Sequence, residues 1–446
     1  MNKNDIYEGE IVAMSSEGLG ITKNCGMAVF IKNTAIGDFV RYKIIKVLKN
    51  YAVARLEEII KSSPDRIEND CPYFNRCGGC TYRHISYNAE EKIKYGKVKE
   101  TMHRIGKMQI DPMPIITNKQ ISRYRNKAQY PVSENLNIGF FAPRTHTVTE
   151  ISDCLLQPKE FTVGAEIFTA WAKENKLSAY NEITGRGKLR HFYMRKAFFT
   201  GELSVCAVIK GELPENTDKL VNSLKSALGQ NLKTVVFNVN NKNTNVILGD
   251  KNILLYGDGY ITDVICGIKV KLSALSFYQV NREMAQLLYN KAKEYANPKD
   301  KNLLDLYCGT GTIGLTMAKA AKSVIGVEIV PDAVKDALEN AKLNGITNAR
   351  FICSDATSAA QKLKAEGMHP DVVLLDPPRK GCDSELLNVV AKYFSPERIV
   401  YISCDVSTLA RDTAILGTLG YTLKEYTPVD LFPRTPHVET VALLTK

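Results

Sequence analysis

A mixed α/β fold, with a doubly wound, Rossmann-like parallel sheet over residues 266–446, is what this 446-residue sequence predicts. Three observations carry it. From about residue 270, strand-like runs alternate with helical runs, the pattern of a parallel sheet covered on both faces. A glycine-rich turn joins the first of those strands to a helix. Residues 1–60 show instead several short strands between turn-rich segments, and the middle of the chain mixes both element types. The chain is too long for one ordinary core. The divisions expected are a small β-barrel over 1–60, an α+β central domain over 61–265 and the α/β domain over 266–446.

The barrel strands are IYEGEIVAM, MAVFI, DFVRYKIIKVL and YAVARLEEI, with SSEGLG, KNCG and KNTAIG as turns. An OB-type barrel and an SH3-like barrel fit equally well, and both commonly hold nucleic acid. SSPDRIENDCPYFNRCGGC follows as an irregular linker, then a helix over 87–106 with spaced apolar positions. Residues 123–260 mix short strands and helices whose topology the pattern leaves open. In the last part the strands are LLDLYC, SVIGVEIV, ARFICS, DVVLLD and RIVYISC. The helices between and after them are TIGLTMAKAA, DAVKDALENAKLN, ATSAAQKLKAE, SELLNVVAKYF and TLARDTAILGTLG. YTLKEYTPVDL and VETVALLTK read as two further strands closing the edge.

No apolar run approaches the length of a membrane span, and the N-terminus lacks a signal core, so a cytoplasmic protein is expected. In that reducing setting the 11 cysteines are thiols, metal ligands or catalytic groups rather than disulfides. Net charge is +11, and residues 61–130 alone hold 14 Lys and Arg against 7 Asp and Glu. A local basic block suits contact with a polyanion. Tyr124-Arg125-Asn126-Lys127 and Arg144-Thr-His146 interleave aromatic and basic groups, as stacking and phosphate contact on RNA require.

Asp305-Leu-Tyr-Cys-Gly309-Thr-Gly311-Thr-Ile-Gly314 sits between a strand and a helix, where glycines let the backbone approach a ligand. Glu328 ends the next strand, placed to accept both hydroxyls of a ribose. GxGxxG alone also fits a nicotinamide dinucleotide. Asp305 at the end of the first strand and Asp376-Pro-Pro at the end of the fourth shift the reading towards class I methyltransferases, which this combination resembles. A cysteine, Cys404, falls after the fifth strand and just before a helix, with Arg411 in the same segment. A helix N-terminus and a nearby arginine both favour thiolate, so a lowered Cys404 pKa is expected.

Asp376-Pro-Pro-Arg379-Lys-Gly381, Ser403-Cys404-Asp405 with Thr408-Leu-Ala-Arg411-Asp, His437-Val-Glu439-Thr and Phe277-Tyr-Gln279-Val-Asn281 together resemble the RNA 5-methyluridine methyltransferase family (RumA/TrmA-like). The motifs stand in the family's order. Val406 replaces the proline usual after Cys-Asp. The resemblance implies an enzyme that transfers a methyl group from S-adenosylmethionine to C5 of a uridine. It assigns Cys404 as the nucleophile that adds to C6 and Glu439 as the base that removes the C5 proton. It places the cofactor against Gln279, Tyr307, Glu328 and Asp376, with Arg379 a candidate for phosphate or base contact. The target base has to leave its stack to reach Cys404.

Cys71-x5-Cys77-x2-Cys80 is a tight three-thiol set, with Cys154 as a candidate fourth ligand. Spacing alone does not separate zinc from iron–sulfur. The family resemblance favours a [4Fe-4S] cluster, structural or RNA-positioning. It also implies that the barrel is the OB-like TRAM module of ribosomal-RNA members, which points to a monomer acting on 23S ribosomal RNA and closest to the dual-specificity type. Competing readings are a transfer-RNA enzyme, a noncatalytic RNA-binding protein, and an amino-group methyltransferase. The last usually shows [ND]PP[YFW] where this chain has Asp376-Pro-Pro-Arg379.

Overall fold

The computed structural model describes residues 1–118, 120–244 and 246–446. The N-terminal sheet has six strands: β1 (Ile6–Glu10), β2 (Ala13–Met14), β3 (Gly20–Asn24), β4 (Met27–Ile31), β5 (Phe39–Val47) and β6 (Tyr51–Lys61), in the order β1-β5-β6-β4-β3-β2. Alternating residues Val40, Tyr42 and Ile44 on β5 and Ala52 and Ala54 on β6 point inward and close a small core with Ile11, Val29 and Ile31. Two details differ from the sequence reading. IYEGEIVAM breaks into two strands at Ile11, whose amide is drawn instead to the Asp38 carbonyl at 2.8 Å. Strand β3 forms where only Ile21 and Thr22 separate the turn segments SSEGLG and KNCG, and it is held by pairing with β4.

Helix α1 (Tyr87–Arg104) follows, with Ser86 capping it through the Ala89 amide. The central sheet is β7 (Lys127–Pro131), β10 (Leu189–Lys196), β11 (Leu203–Ile209), β12 (Leu232–Val239) and β13 (Lys251–Tyr256), in the order β13-β12-β11-β10-β7. Only the β11–β12 pair is parallel. Strands β8 (Gly139–Phe141) and β9 (Val148–Glu150) form a separate hairpin. Helices α2 (Lys159–Glu174) and α3 (Thr217–Leu228) cover the sheet through Phe161, Phe168, Leu220 and Leu224. A second hairpin, β14 (Tyr260–Ile265) with β15 (Ile268–Ser273), leads into helix α4 (Arg282–Ala296).

The C-terminal sheet carries seven strands. In chain order the elements are β16 (Asn302–Asp305), α5 (Thr312–Ala318), β17 (Ser323–Glu328), α6 (Pro331–Leu343), β18 (Ala349–Cys353), α7 (Ala356–Ala365), β19 (Val372–Leu375), α8 (Ser384–Asn388), β20 (Arg398–Ser403), α9 (Val406–Thr418), β21 (Thr422–Val429) and β22 (Glu439–Thr445). After α8 the chain continues as one π-helical turn, Val389–Phe394. The order is β18-β17-β16-β19-β20-β22-β21, with the first five strands parallel. One face packs on α7, α8, α9 and α1, the other on α4, α5 and the β14–β15 hairpin. This is the doubly wound architecture. The order reverses between β16 and β19, and open α/β sheets bind ligands outside the strand ends at such a point.

The final hairpin does more than close an edge. β22 inserts between β20 and β21, antiparallel to both. Residues 87–116 pack on this C-terminal layer rather than on the central sheet: Val98 and Met102 join the core beside Leu409 and Leu416, and Ile116 bridges Val429. Part of the basic block of 61–130 is spent on internal ion pairs, although the Lys99 pair lies at the surface. Arg66, Arg83, Lys94, Lys99 and Arg123 each pair with a carboxylate.

Candidate active site

The turn after β16 is shaped by its glycines. Gly311 has φ +76°, and a Cβ there would stand 2.9 Å from the Phe351 ring, so only glycine fits. Gly309 also has positive φ, but a Cβ on it would meet nothing within 4 Å. It faces open space. Glu328 braces this turn: one carboxylate oxygen accepts from the Gly309 amide at 3.0 Å and the other from the Val330 amide at 2.9 Å.

That space is a cavity of about 1760 Å³ along the carboxyl ends of the sheet. It unites Gln279, Tyr307, Gly309, Glu328, Asp376, Arg379, Cys404 and Glu439 in one wall. All six residues expected to act on cofactor or base therefore meet, although they come from six separate segments. Gln279 is held by its backbone, whose carbonyl accepts from Asn126 Nδ2 at 2.8 Å. The loop before it is gripped by the buried Arg195, which donates to the carbonyls of Ser273 (2.9 Å) and Ser276 (2.7 Å).

Cys404 follows β20, and Asp405 caps α9 by accepting from the amides of Ser407 and Thr408. Glu439 opens β22. Because Ser403 pairs with Thr440, one further step along the same antiparallel register sets Cys404 opposite Glu439. This is the contact that insertion of β22 creates.

The electrostatics run against the sequence expectation. Cys404 is not made acidic. Burial, reinforced by the Glu439 and Asp376 charges, pushes its thiol up to about 11, with Arg379 pulling the other way. Arg411 is not the arginine that acts on it. Its guanidinium is engaged by Asp412 and by the carbonyls of Lys380 and Cys382. Glu439 is 5% exposed, and burial pushes it up to about 8, helped by Asp376 and opposed by Arg379. Burial lifts Asp376 to about 7. Asp305 is likewise lifted to about 7, by burial first and Asp376 second, and neither of its oxygens makes a well-aligned hydrogen bond. Three carboxyls at one end of a sheet cannot all ionise cheaply. They make a proton-rich site in which Arg379 is the cation that opposes the shifts of Glu439 and Cys404.

Several lining residues escaped the sequence reading. Asp355 caps α7 at the end of β18 and is exposed to the cavity. Its signal was legible, since an acidic residue ends three neighbouring strands. Lys127 was noted only as part of a basic stretch. It lines the cavity, and burial with Arg195 and Arg125 nearby lowers it to about 8. Its neighbour Tyr124 is no stacking platform: it is buried, donating to the Pro433 carbonyl at 2.8 Å. His146 of the second stretch packs edge-on against Phe141.

The cysteine loop meets the same cavity through Gly78 and Gly79. Cys71, Cys77, Cys80 and Cys154 are half-buried and unpaired by disulfides. Burial pushes the Cys154 thiol up to about 11, and the Cys80 and Cys77 thiols add to the shift, so all three stand together despite their distance in sequence. Arg123 clamps Asp153 through two bonds of 2.6 Å and donates to the Cys154 carbonyl at 3.0 Å, while Tyr73 meets Ser152 at 2.7 Å. Among the described residues no three His, Cys, Asp or Glu side chains converge at metal-ligand spacing. The thiols are thus neighbours without a closed shell.

Comparison with known proteins agrees with this geometry. Residues 199–446 match the tRNA (uracil-5-)-methyltransferase family, and residues 7–56 match the TRAM domain. An uncharacterized RNA methyltransferase of Halalkalibacterium halodurans is 42% identical, the alignment covering 100% of this chain and 98% of the relative. One of Clostridium acetobutylicum is 41% identical with the same coverage. Among solved structures, the Pyrococcus abyssi tRNA (uracil-54, C5)-methyltransferase in complex with S-adenosyl-L-homocysteine is similar with a TM-score of 0.82. It is 26% identical, and the match covers 98% of this chain and 99% of that one. No helix among the described residues is long and apolar enough to cross a membrane. With its sheet order, its cavity and these matches, the chain belongs to the tRNA (uracil-5-)-methyltransferase family of S-adenosylmethionine-dependent RNA methyltransferases, with a TRAM domain at its N-terminal end.

Proposed function

We propose that this protein methylates C5 of uridine in 23S ribosomal RNA as a cytoplasmic monomer, with Cys404 as nucleophile and Glu439 as base. The observation that carries the chemistry is the pairing of β20 with β22, which sets these two side chains face to face in the cofactor cavity. Uracil C5 is a poor nucleophile. Addition of the Cys404 sulfur at C6 converts the ring to an enolate and makes C5 reactive. Once C5 has taken the methyl group and become tetrahedral, Glu439 removes its proton, the ring double bond re-forms and the C6–S bond breaks to free the enzyme.

Gln279, Tyr307, Glu328 and Asp376 are the residues that would hold S-adenosylmethionine, which supplies an electrophilic methyl on a cationic sulfur. The fit is electrostatic: Asp305, Asp376 and Glu439 are all raised by burial, with Asp376 adding to the shift at the other two, and a cation beside them would favour their charged forms. Glu328 faces the cavity from the end of β17, where a ribose can meet it. Occupancy by a cation returns these carboxyls towards ionisation and leaves Glu439 able to accept a proton.

The donor chemistry of Cys71, Cys77, Cys80 and Cys154 fits a [4Fe-4S] cluster. Buried thiols with raised pKa values become thiolates only beside added positive charge, and the Gly79 amide already donates to Cys77 Sγ at 3.3 Å. Protein purified without oxygen is expected to carry iron and acid-labile sulfide in equal amounts and a broad visible absorption. Cys80→Ser is expected to lose both. Zinc in place of iron would overturn the cluster assignment.

The TRAM barrel and the cysteine set support ribosomal RNA as substrate. The likeness to an enzyme described as acting on uracil 54 of tRNA supports the second reading, transfer RNA. Tritium release decides between them. Ribosomal and transfer RNA carrying tritium at uridine C5 are given separately to the enzyme with S-adenosylmethionine. Release from ribosomal RNA alone is expected. Release only from transfer RNA keeps the mechanism and replaces the substrate, and release from neither removes the enzymatic reading.

A further inference from the structure

A buried charge cluster outside the cavity holds the strap that leads into Glu439. Residues 430–438 join β21 to β22 and carry Phe432, Thr435, Pro436 and His437 along the cavity wall. The strap is not regular structure, and Arg434 within it has φ +71°, an unfavourable value for a side chain of its size. Something must impose that shape.

The hold comes from α1. Lys94 is fully buried, and its ammonium donates to Glu90 Oε1 (2.7 Å), Asp430 Oδ1 (2.7 Å) and the Phe432 carbonyl (3.1 Å). Tyr87 donates to the other Asp430 oxygen at 2.8 Å. Glu90 also accepts from the Arg434 amide at 2.7 Å, and the Arg434 guanidinium donates to the Ile85 carbonyl at 3.0 Å. One turn along the helix, Lys97 donates to the Pro436 carbonyl at 2.9 Å. Two carboxylates and two cations balance, so the cluster buries no net charge. A buried ion network of this kind adds little to stability over a well-packed apolar core. Its distinctive output is geometry, because each bond fixes a direction.

We propose that Lys94 is a positioning residue: through Glu90, Asp430 and Arg434 it fixes the strap and so aims Glu439 at the C5 proton. The proposal rests on the reading of Glu439 as base. It makes helix α1 part of the machinery for releasing product, while the nucleophile directly follows β20, outside the strap.

The test separates the two halves of the reaction in full-length Lys94→Met. The RNA that releases tritium is prepared with either uridine or 5-fluorouridine at the target. On both, the Cys404 sulfur bonds to C6 and C5 takes the methyl group as its bond to the sulfonium breaks, leaving S-adenosylhomocysteine. On uridine, Glu439 takes the C5 proton, the ring double bond re-forms and the C6–S bond breaks. On 5-fluorouridine there is no proton to take, and the adduct persists. Lys94→Met is expected to form the 5-fluorouridine adduct near the wild-type rate, while turnover on uridine falls about 10- to 100-fold, the scale of an ångström-sized misplacement. Methylated adduct should then accumulate on uridine. Equal losses on the two substrates, or no loss on uridine, would overturn the proposal. Asp430→Asn is run beside it, since it keeps Lys94 paired with Glu90 and loosens only the strap; the same split in smaller measure is expected, and its absence counts against the proposal even where Lys94→Met does not fold. If wild-type enzyme forms no adduct on 5-fluorouridine, the covalent reading itself fails, a result distinct from either variant's.

Discussion

Cys404→Ala is expected to lose methyl transfer by on the order of 10⁴-fold or more and to form no covalent adduct with 5-fluorouridine RNA, while S-adenosylmethionine binding is kept. The size follows from the chemistry. Without a sulfur on C6, C5 remains an ordinary vinylic carbon, and the residues left in the cavity only bind and orient. The proposed cofactor residues are Gln279, Tyr307, Glu328 and Asp376, none of which Cys404 supports through a side-chain hydrogen bond among the described residues. Cys404 is only half-buried, so its sulfur contributes little to the core. Tritium release from the alanine variant at the wild-type rate would remove the cysteine from the mechanism. Loss of cofactor binding along with activity would point instead to a disturbed cavity.

The second large effect is on Glu439→Gln. Turnover is expected to drop by about 10²- to 10⁴-fold, the range for losing a positioned base, while the methylated adduct builds up. The pH dependence carries a sign that can be checked. With Glu439 raised to about 8 by burial and Cys404 raised to about 11, both groups hold protons that the reaction needs removed. The kcat/KM for S-adenosylmethionine, which reports the groups of the free enzyme, should therefore climb as pH rises from 7 towards 9. In Glu439→Gln the part of that climb due to the carboxyl disappears. Stability moves the other way. A carboxyl whose folded pKa is raised binds a proton in the folded state that the unfolded chain has already lost. Its contribution is full below the unfolded value of about 4.5 and is lost as pH rises through about 8. Glu439→Gln should then melt higher than wild type above pH 8 and close to it near pH 5. A melting temperature that falls equally at both pH values would show that the side chain holds the fold together rather than burying a costly charge.

The two effects share a cause. Asp305, Asp376 and Glu439 come from strands β16, β19 and β22, and all end in one water-poor corner. Burial is the first cause of each raised value, and Asp376 adds to the shift at Asp305 and Glu439. In the proposed reaction a cationic ligand would return Glu439 towards the ionised form that accepts a proton.

Much of this was legible in the chain. The five parallel strands and their helices fall close to the runs LLDLYC through TLARDTAILGTLG, because each element carries its own period and its own start and stop residues. The Gly309–Gly311 turn, Glu328 and Asp376 were recognisable by residue type at strand ends, whereas Cys404 and Glu439 were assigned only through the family resemblance. Strand β3 was not, since Ile21 and Thr22 are too short a run between two turn segments, and the strand is held by its pairing with β2 and β4.

What the sequence determined by itself is the list of elements and of reactive groups, since both are set by local pattern. What only the tertiary structure decided is how those groups meet and what charge they carry. The register of β22 against β20 brings Glu439 to Cys404, and no local signal encodes a pairing between separate strands. Arg411 stands near Cys404 in sequence but is spent on Asp412, and burial beside Glu439 and Asp376 raises the thiol that a helix N-terminus alone would have lowered. The physical reason is that desolvation and Coulomb terms depend on distance through space, which one strand inserted into a sheet can change completely.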